Sequence, residues 1–169
     1  MKKLFAVFAT LSMLFAVGCE DNGDDNGNPN NSAENNKIYY TTSDGKKLFP
    51  TNTEPAIFGA IIVSNTYKDG QGVLTFDDAV TSIGKYAYSE CHSLTSITIP
   101  ESVTSVNYYS FDCCSILRTV YCKATTPPSG NFCPFYTVGD NVIYVPRESV
   151  EAYKAAWIYC AEHIEGYDF

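Results

Sequence analysis

"VTSIGKYAYSECHSLTSITIPES", residues 80–102, runs directly into "VTSVNYYSFDCCSILRTVYCKAT", residues 103–125. Laid over each other, the two segments are identical at Val80/Val103, Thr81/Thr104, Ser82/Ser105, Tyr86/Tyr109, Cys91/Cys114 and Leu94/Leu117. Ile83/Val106, Ala87/Ser110, Tyr88/Phe111, Ser96/Thr119 and Ile97/Val120 are conservative pairs. Self-similarity at a fixed period of this length marks a repeat architecture, in which one unit cannot bury its own apolar face and stacks on the next.

The period of 23 residues extends beyond these two copies. It links Leu74, Ile97, Val120 and Ile143, and then Phe76, Ile99, Cys122 and Val145. Between these apolar positions lies a polar-or-aromatic column of Thr75, Thr98, Tyr121 and Tyr144. Alternation with period two is a strand with one buried face, so the pattern predicts strands stacked in parallel as successive rungs. The return half of each rung has to bend the chain back. Gly84 and its counterpart Asn107 stand where a tight bend with positive φ is expected. Small Ala87 and Ser110 sit beside large Tyr88 and Phe111, so a close turn can be plugged by an aromatic ring. Cys91 and Cys114 fit an internal ladder, because a thiol is a small hydrophobe that donates weakly to carbonyls.

The rung resembles the BspA-like leucine-rich repeat, whose pattern runs apolar-x-x-Ile-Gly-x-x-Ala-Phe-x-x-Cys-x-x-Leu-x-x-Ile-x-Ile-Pro. Residues 71–125 carry it, and residues 143–146 repeat its strand ending. Asn107, Ser110 and Lys123 depart from the pattern, and the third return half is replaced by the Pro/Gly-rich "TTPPSGNFCPFYTVGD", which should not make a regular turn. The resemblance implies an α+β repeat fold: a short leucine-rich-repeat solenoid of parallel strands. It also implies adhesion to host matrix proteins or other bacteria, and therefore a protein ligand.

Caps are expected at both ends. "KIYYTTSDGKKLFP" reads as strand, turn and strand, and "AIIVSNTYKDGQGVLTF" as a second hairpin leading into the first rung. In "PRESVEAYKAAWIYCAEHI", Val150, Tyr153, Trp157, Cys160 and Ile164 fall at helical spacing after a Ser149 N-cap. Such a helix over the last rung would shield an open sheet edge.

The chain of 169 residues, 45% of them hydrophobic, has room for one domain with a real core. A basic start at Lys2 and Lys3, an apolar run over residues 4–17 and small Gly18 form a secretory signal. "AVGC", residues 16–19, resembles the lipobox of bacterial lipoproteins, which implies that Cys19 is lipidated and becomes the first mature residue. The following "EDNGDDNGNPNNSAENN" has five carboxylates and no apolar side chain larger than alanine, so it should be a disordered spacer. Acidic residues directly after that cysteine resemble the surface-export signals of Bacteroides-type lipoproteins and imply an outer-membrane protein facing the exterior. The expected layout is a signal at 1–18, a lipidated cysteine and linker at 19–36, a β cap at 37–70, the repeats at 71–146 and a helical cap at 147–169. No other apolar run is long enough to span a bilayer, the longest being strand-length "AIFGAIIV", so the membrane is reached only through the lipid. The formal charge of -8 falls by two to -10 without Lys2 and Lys3, which disfavours nucleic acid and anionic membrane surfaces as partners.

Catalytic and metal constellations are not legible. Of seven cysteines, Cys19 is assigned to lipid, Cys91 and Cys114 to the ladder, and Cys122 to an inward strand position; Cys113, Cys133 and Cys160 are the candidates for exceptions. Cys91-His92 and Cys113-Cys114 lack the paired spacing a zinc site needs, and His92 should face away from an inward Cys91. Adjacent Asp77 and Asp78 point to opposite faces and suit a solvated bend. No nucleophile elbow, metal-binding helix or phosphate loop occurs, so no cofactor, metal or enzymatic activity is expected. The candidate binding residues are the outward column Thr75, Thr98, Tyr121 and Tyr144. The leading expectation is a non-catalytic surface lipoprotein that binds protein; the alternative is a glycan-binding accessory lipoprotein of an outer-membrane uptake system.

Overall fold

A computed structural model describes residues 32–130, 133–135 and 140–169, so the signal, Cys19 and most of the acidic spacer lie outside the described residues. Its strands are β1 (Lys37–Thr42), β2 (Ile62–Lys68), β3 (Gln71–Phe76), β4 (Ser82–Ile83), β5 (Leu94–Ile99), β6 (Ser105–Val106), β7 (Thr119–Cys122), β8 (Val142–Pro146) and β9 (Ile164–Tyr167). Among the described residues, seven of them form one sheet in the order β2-β3-β1-β5-β7-β8-β9, while β4 pairs in parallel with β6.

The 23-residue period sets the register of the carboxy-terminal half. Ile97 faces Val120 and Val120 faces Ile143 in parallel pairs, each 23 residues on. Ile97, Ile99, Val120, Cys122, Ile143 and Val145 are buried in one core, as alternation requires.

The sheet is mixed, which corrects the expectation of an all-parallel stack. β3 is not the rung beside β5. β1 lies between them, antiparallel to both, with Ile38 opposite Leu74 and Tyr40 opposite Ile97. Its alternation, with Ile38, Tyr40 and Thr42 buried, matches that of its neighbours. Gly72 makes the fit possible, because a Cβ there would stand 2.1 Å from Tyr40 Cζ. The ring therefore lies over bare backbone, and the Tyr40 hydroxyl donates to Asn65 Oδ1 at 2.6 Å and accepts from the Leu48 amide at 3.1 Å. On the other side, the Thr41 hydroxyl meets those of Thr95 and Ser96 at 2.7 and 2.6 Å. β2 and β3 form the expected hairpin, whereas residues 47–50 form no strand against β1.

The bends also differ from expectation. Gly84 does not adopt positive φ; the left-handed positions are Tyr86 and Tyr109 (φ 61° and 63°), and Glu90 and Cys113 (both 60°), each pair one period apart. Gly84 is required by close approach, since a Cβ would lie 2.9 Å from Ile57 Cα. The aromatic plugs do stack: Tyr88 and Phe111 lie 5.3 Å apart and 10° from parallel, with Phe135 4.8 Å beyond Phe111. Phe135 comes from the loop that was expected to make no regular turn. That loop enters the stack because Ser129 bridges Ser105 in parallel, and Gly130, at φ 139°, passes so close that a Cβ would lie 2.1 Å from the Val106 carbonyl oxygen. The thiol ladder is present: Cys114 Sγ donates to the Tyr88 carbonyl at 3.0 Å and Cys91 Sγ reaches that of Phe49 at 3.9 Å.

The carboxy-terminal cap is not one helix. A helix over Val150–Ala156 gives way to a 3-10 segment, Ile158–His163, and then to β9. Ser149 stands at the N-cap, but its hydroxyl donates to the Thr125 carbonyl at 2.7 Å rather than to the helix. Trp157 Nε1 donates to the Pro128 carbonyl at 3.3 Å, and Cys160 is disulfide-bonded to Cys133 with Cα atoms 5.6 Å apart. These two ties hold the chain against the loop, turn it off the helix axis and deliver Ile164 beside Ile143 in a further parallel pair. One edge of the sheet is therefore β9, and Val150 of the helix packs against it, 3.2 Å from where a Cβ would stand at Gly166.

Candidate functional site: an aromatic sheet face

The side chains pointing away from the core form one row across four strands. Tyr39 of β1 faces Thr98 of β5, Thr98 faces Tyr121 of β7, and Tyr121 faces Tyr144 of β8. The Tyr121 and Tyr144 rings stack with centroids 5.2 Å apart and planes 19° from parallel. Tyr167 closes on both, 5.5 Å from Tyr121 and 5.4 Å from Tyr144, and Phe169 lies 5.1 Å from Tyr167. Asp168, between these two rings, receives both arms of Arg147, Nε at 3.0 Å and Nη2 at 2.9 Å. That fork lowers the Asp168 carboxyl from its ordinary value. Burial, with help from Tyr167 and Tyr144, raises the Tyr121 phenol, which keeps it a neutral donor.

Thr98, Tyr121 and Tyr144 are thus brought together as the period predicted, and each is half-buried. Thr75 is not with them. It pairs with Lys37, one strand further out, and Tyr39 occupies the place beside Thr98. Tyr39, Tyr167 and Phe169 belong to the cluster although the period does not reach them. Tyr39 had a signal in the Lys37-Tyr39-Thr41 alternation, but nothing in it named a neighbour. β9 has only four residues and contains Gly166, too little pattern to read.

A groove of about 380 Å³ lies alongside this row. Tyr39, Tyr121, Tyr167 and Phe169 supply its apolar surface. Glu34, Gln71, Thr98, Lys123 and Asp168 supply the polar surface, with Lys123 Nζ 3.0 Å from Glu34 Oε2.

A second aromatic group sits at the bends. Tyr86 and Tyr109 stack at 5.8 Å, Tyr108 meets Tyr109 edge-on at 3.9 Å, and the Lys85 ammonium lies 4.8 Å from the Tyr86 ring centroid. The 23-residue spacing of Tyr86 and Tyr109 was visible in the sequence.

Several other titratable groups are held in buried or hydrogen-bonded positions. Burial pushes the Cys114 thiol up to about 12 and the Cys122 thiol to about 11. His92 Nδ1 lies 3.1 Å from the Cys113 carbonyl oxygen, and His163 Nδ1 lies 2.9 Å from that of Asn141. Asp77 accepts from the Ile61 amide at 2.7 Å, as a bend residue does. Cys113 is an exposed free thiol. Among the described residues, no group of three or more His, Cys, Asp or Glu side chains is placed to hold a metal ion, and no helix is long and apolar enough to cross a membrane.

Residues 65–147 match the family described as BspA type leucine rich repeat region, in six copies. The matched stretch begins within β2 and ends just after β8, so it takes in most of the hairpin and the parallel strands β5, β7 and β8. Repeats of this kind suggest a scaffold for protein interaction or adhesion. No curated protein matches the chain.

Proposed function

We propose that this chain is a BspA-type leucine-rich repeat protein, non-catalytic and lipid-anchored at the outer cell surface, and that its outward sheet face binds a protein ligand in adhesion. In this reading Cys19 carries the lipid, the acidic spacer holds the domain off the membrane, and the stacked repeats form a short solenoid. The observation that carries the reading is the Tyr121–Tyr144 stack, widened by Tyr167 and Phe169. Rigid tyrosines on a sheet offer a large contact area with polar tips at little entropic cost, the composition that dominates binding hot spots. The thiols support a non-catalytic role, since the raised Cys114 and Cys122 are far from the thiolate that nucleophilic chemistry requires.

The test is a binding screen of the purified chain against matrix proteins, followed by the Tyr121→Ala/Tyr144→Ala double variant. It should keep the parent circular dichroism spectrum and lose about 2 kcal/mol or more of binding, roughly thirtyfold in affinity. A folded double variant that binds as tightly as the parent removes the support for this face. The anchor is separable from the ligand. Cys19→Ala should abolish acyl labelling and release the protein from membranes. Neutral replacements at Glu20, Asp21, Asp24 and Asp25 should reduce protease access on intact cells.

A further inference from the structure

We propose that the groove beside Tyr121 is a subsite for a neutral saccharide, such as the glycan of a surface glycoprotein. This rests on reading the sheet face as a binding surface, and it names the chemistry of part of what that surface takes.

Size and shape come first. An open groove of about 380 Å³ falls within the roughly 300–1,000 Å³ of small-ligand sites. Protein interfaces instead bury about 800 Å² on each partner over a broad patch. The groove therefore accepts a compact group projecting from a partner rather than the partner's whole surface.

The lining then selects the chemistry. Tyr39 and Tyr121 are half-buried and held by the sheet, while Tyr167 and Phe169, 42% and 50% exposed, line the groove in contact with Tyr121. The C–H bonds of a pyranose face carry slight positive charge and pack against the negative faces of such rings. Around them stand pure acceptors in Glu34 and Asp168, a pure donor in Lys123, and groups of both kinds in Gln71 and Thr98. A hydroxyl donates and accepts, so a polyol can answer every member of this set. A purely anionic or purely cationic ligand leaves part of it unmatched.

Charge separates a neutral ligand from a charged one. Lys123 neutralises Glu34 at 3.0 Å, and Arg147 neutralises Asp168 at 2.9 Å. Each charged side chain that lines the groove is therefore paired, in a chain whose formal net charge is -8. That disfavours phosphates and sulfated glycans, while the paired carboxylates have no uncompensated charge for a cationic peptide.

Tyr144 belongs to the stacked row but not to the groove lining, whereas Tyr39 and Gln71 line the groove. The two kinds of binding can thus be separated by mutation. Saturation-transfer NMR and calorimetry on the full chain would use neutral trisaccharides of glucose, mannose and N-acetylglucosamine. A sulfated heparin oligosaccharide and a lysine-rich peptide are the charged controls. At least one neutral trisaccharide should bind and the controls should not. Tyr39→Ala and Gln71→Ala should each weaken it, by on the order of tenfold for the lost ring. Tyr39→Phe should retain binding, and Tyr108→Ala, in the exposed aromatic group at the bends, should leave it unchanged. The inference is overturned if no neutral trisaccharide binds, if the charged controls bind instead, or if Tyr39→Ala and Gln71→Ala fold and bind as the parent does. Loss of protein binding in Tyr121→Ala/Tyr144→Ala with no saccharide binding defeats this inference alone. Saccharide binding that depends on Tyr39 and Gln71, without any protein target, defeats only the protein-partner reading.

Discussion

In the carboxy-terminal half of the sheet, β5, β7 and β8 run parallel, and Ile97, Val120 and Ile143 form one buried row at a constant step. In the amino-terminal half, β2, β3 and β1 run antiparallel, and Leu74 is separated from Ile97 by the whole width of β1. Both halves bury alternate residues. They differ in what that alternation says about neighbours. A repeated unit retraces the same path, so a residue meets its counterpart one period on. A hairpin reverses direction, and its neighbours are set by the turn and by local packing instead. Here that packing is the Tyr40 ring over Gly72, anchored at its hydroxyl by Asn65 and Leu48.

The largest expected effect is at the seam between the halves. Ile97→Asp places an unpaired charge between Tyr40 and Val120 and should cost several kcal/mol in urea denaturation. Thr98→Asp, one residue along but on the outward face, should cost about 1 kcal/mol or less. Equal losses would mean that the strand faces are misassigned.

Glycines sharpen the contrast. Gly72→Ala drives a methyl into a ring that its hydrogen bonds hold in place, and a loss of about 1–3 kcal/mol is expected. Gly166→Ala, in the parallel edge strand β9, meets Arg147 and Val150 atoms at 3.2 Å. A small shift relieves this, and the cost should stay below about 1 kcal/mol. The reverse order in thermal unfolding would undo the account of how β1 is held.

The buried thiols give a pH signature. Cys114 and Cys122 are raised from an ordinary 9.0 to about 12 and about 11. Above pH 9 the unfolded chain has released protons that the folded chain keeps, so stability falls as pH rises from 9 toward these values. Below about pH 8, where the thiols stay protonated in both states, these groups should contribute almost no slope. Alkylation of the native protein, mapped by mass spectrometry, should mark exposed Cys113 ahead of Cys91, Cys114 and Cys122; a uniform pattern would contradict their burial.

Periodicity made legible the faces of the strands, the Ile97–Val120–Ile143 register, the Tyr88–Phe111 stack and the thiol ladder, because each repeats a local environment. It could not place β1, whose pairing is decided by a ring-on-glycine contact between Tyr40 and Gly72. Nor could it place the left-handed backbone at Tyr86 and Tyr109, since tyrosine carries none of the usual cues for positive φ. Phe135 was hidden in a Pro/Gly-rich loop, and β9 behind a helical spacing that the Trp157 and Cys160 ties interrupt. The candidate site shows the same division. Thr98, Tyr121 and Tyr144 follow from the period, whereas Tyr39 comes from the intercalated strand and Tyr167 and Phe169 from the segment after it breaks.

The candidate face depends on one register above all, Tyr39 beside Thr98. Oxidative cross-linking of Tyr39→Cys/Thr98→Cys, read by peptide mapping, tests it directly, with Thr75→Cys/Thr98→Cys as the comparison. Directly opposed residues lie within disulfide reach, whereas two strand spacings of about 4.8 Å each exceed it. Efficient bridging of 39 to 98 and none of 75 to 98 is the predicted result. Bridging of 75 to 98 instead would restore an all-parallel stack and remove Tyr39 from the site.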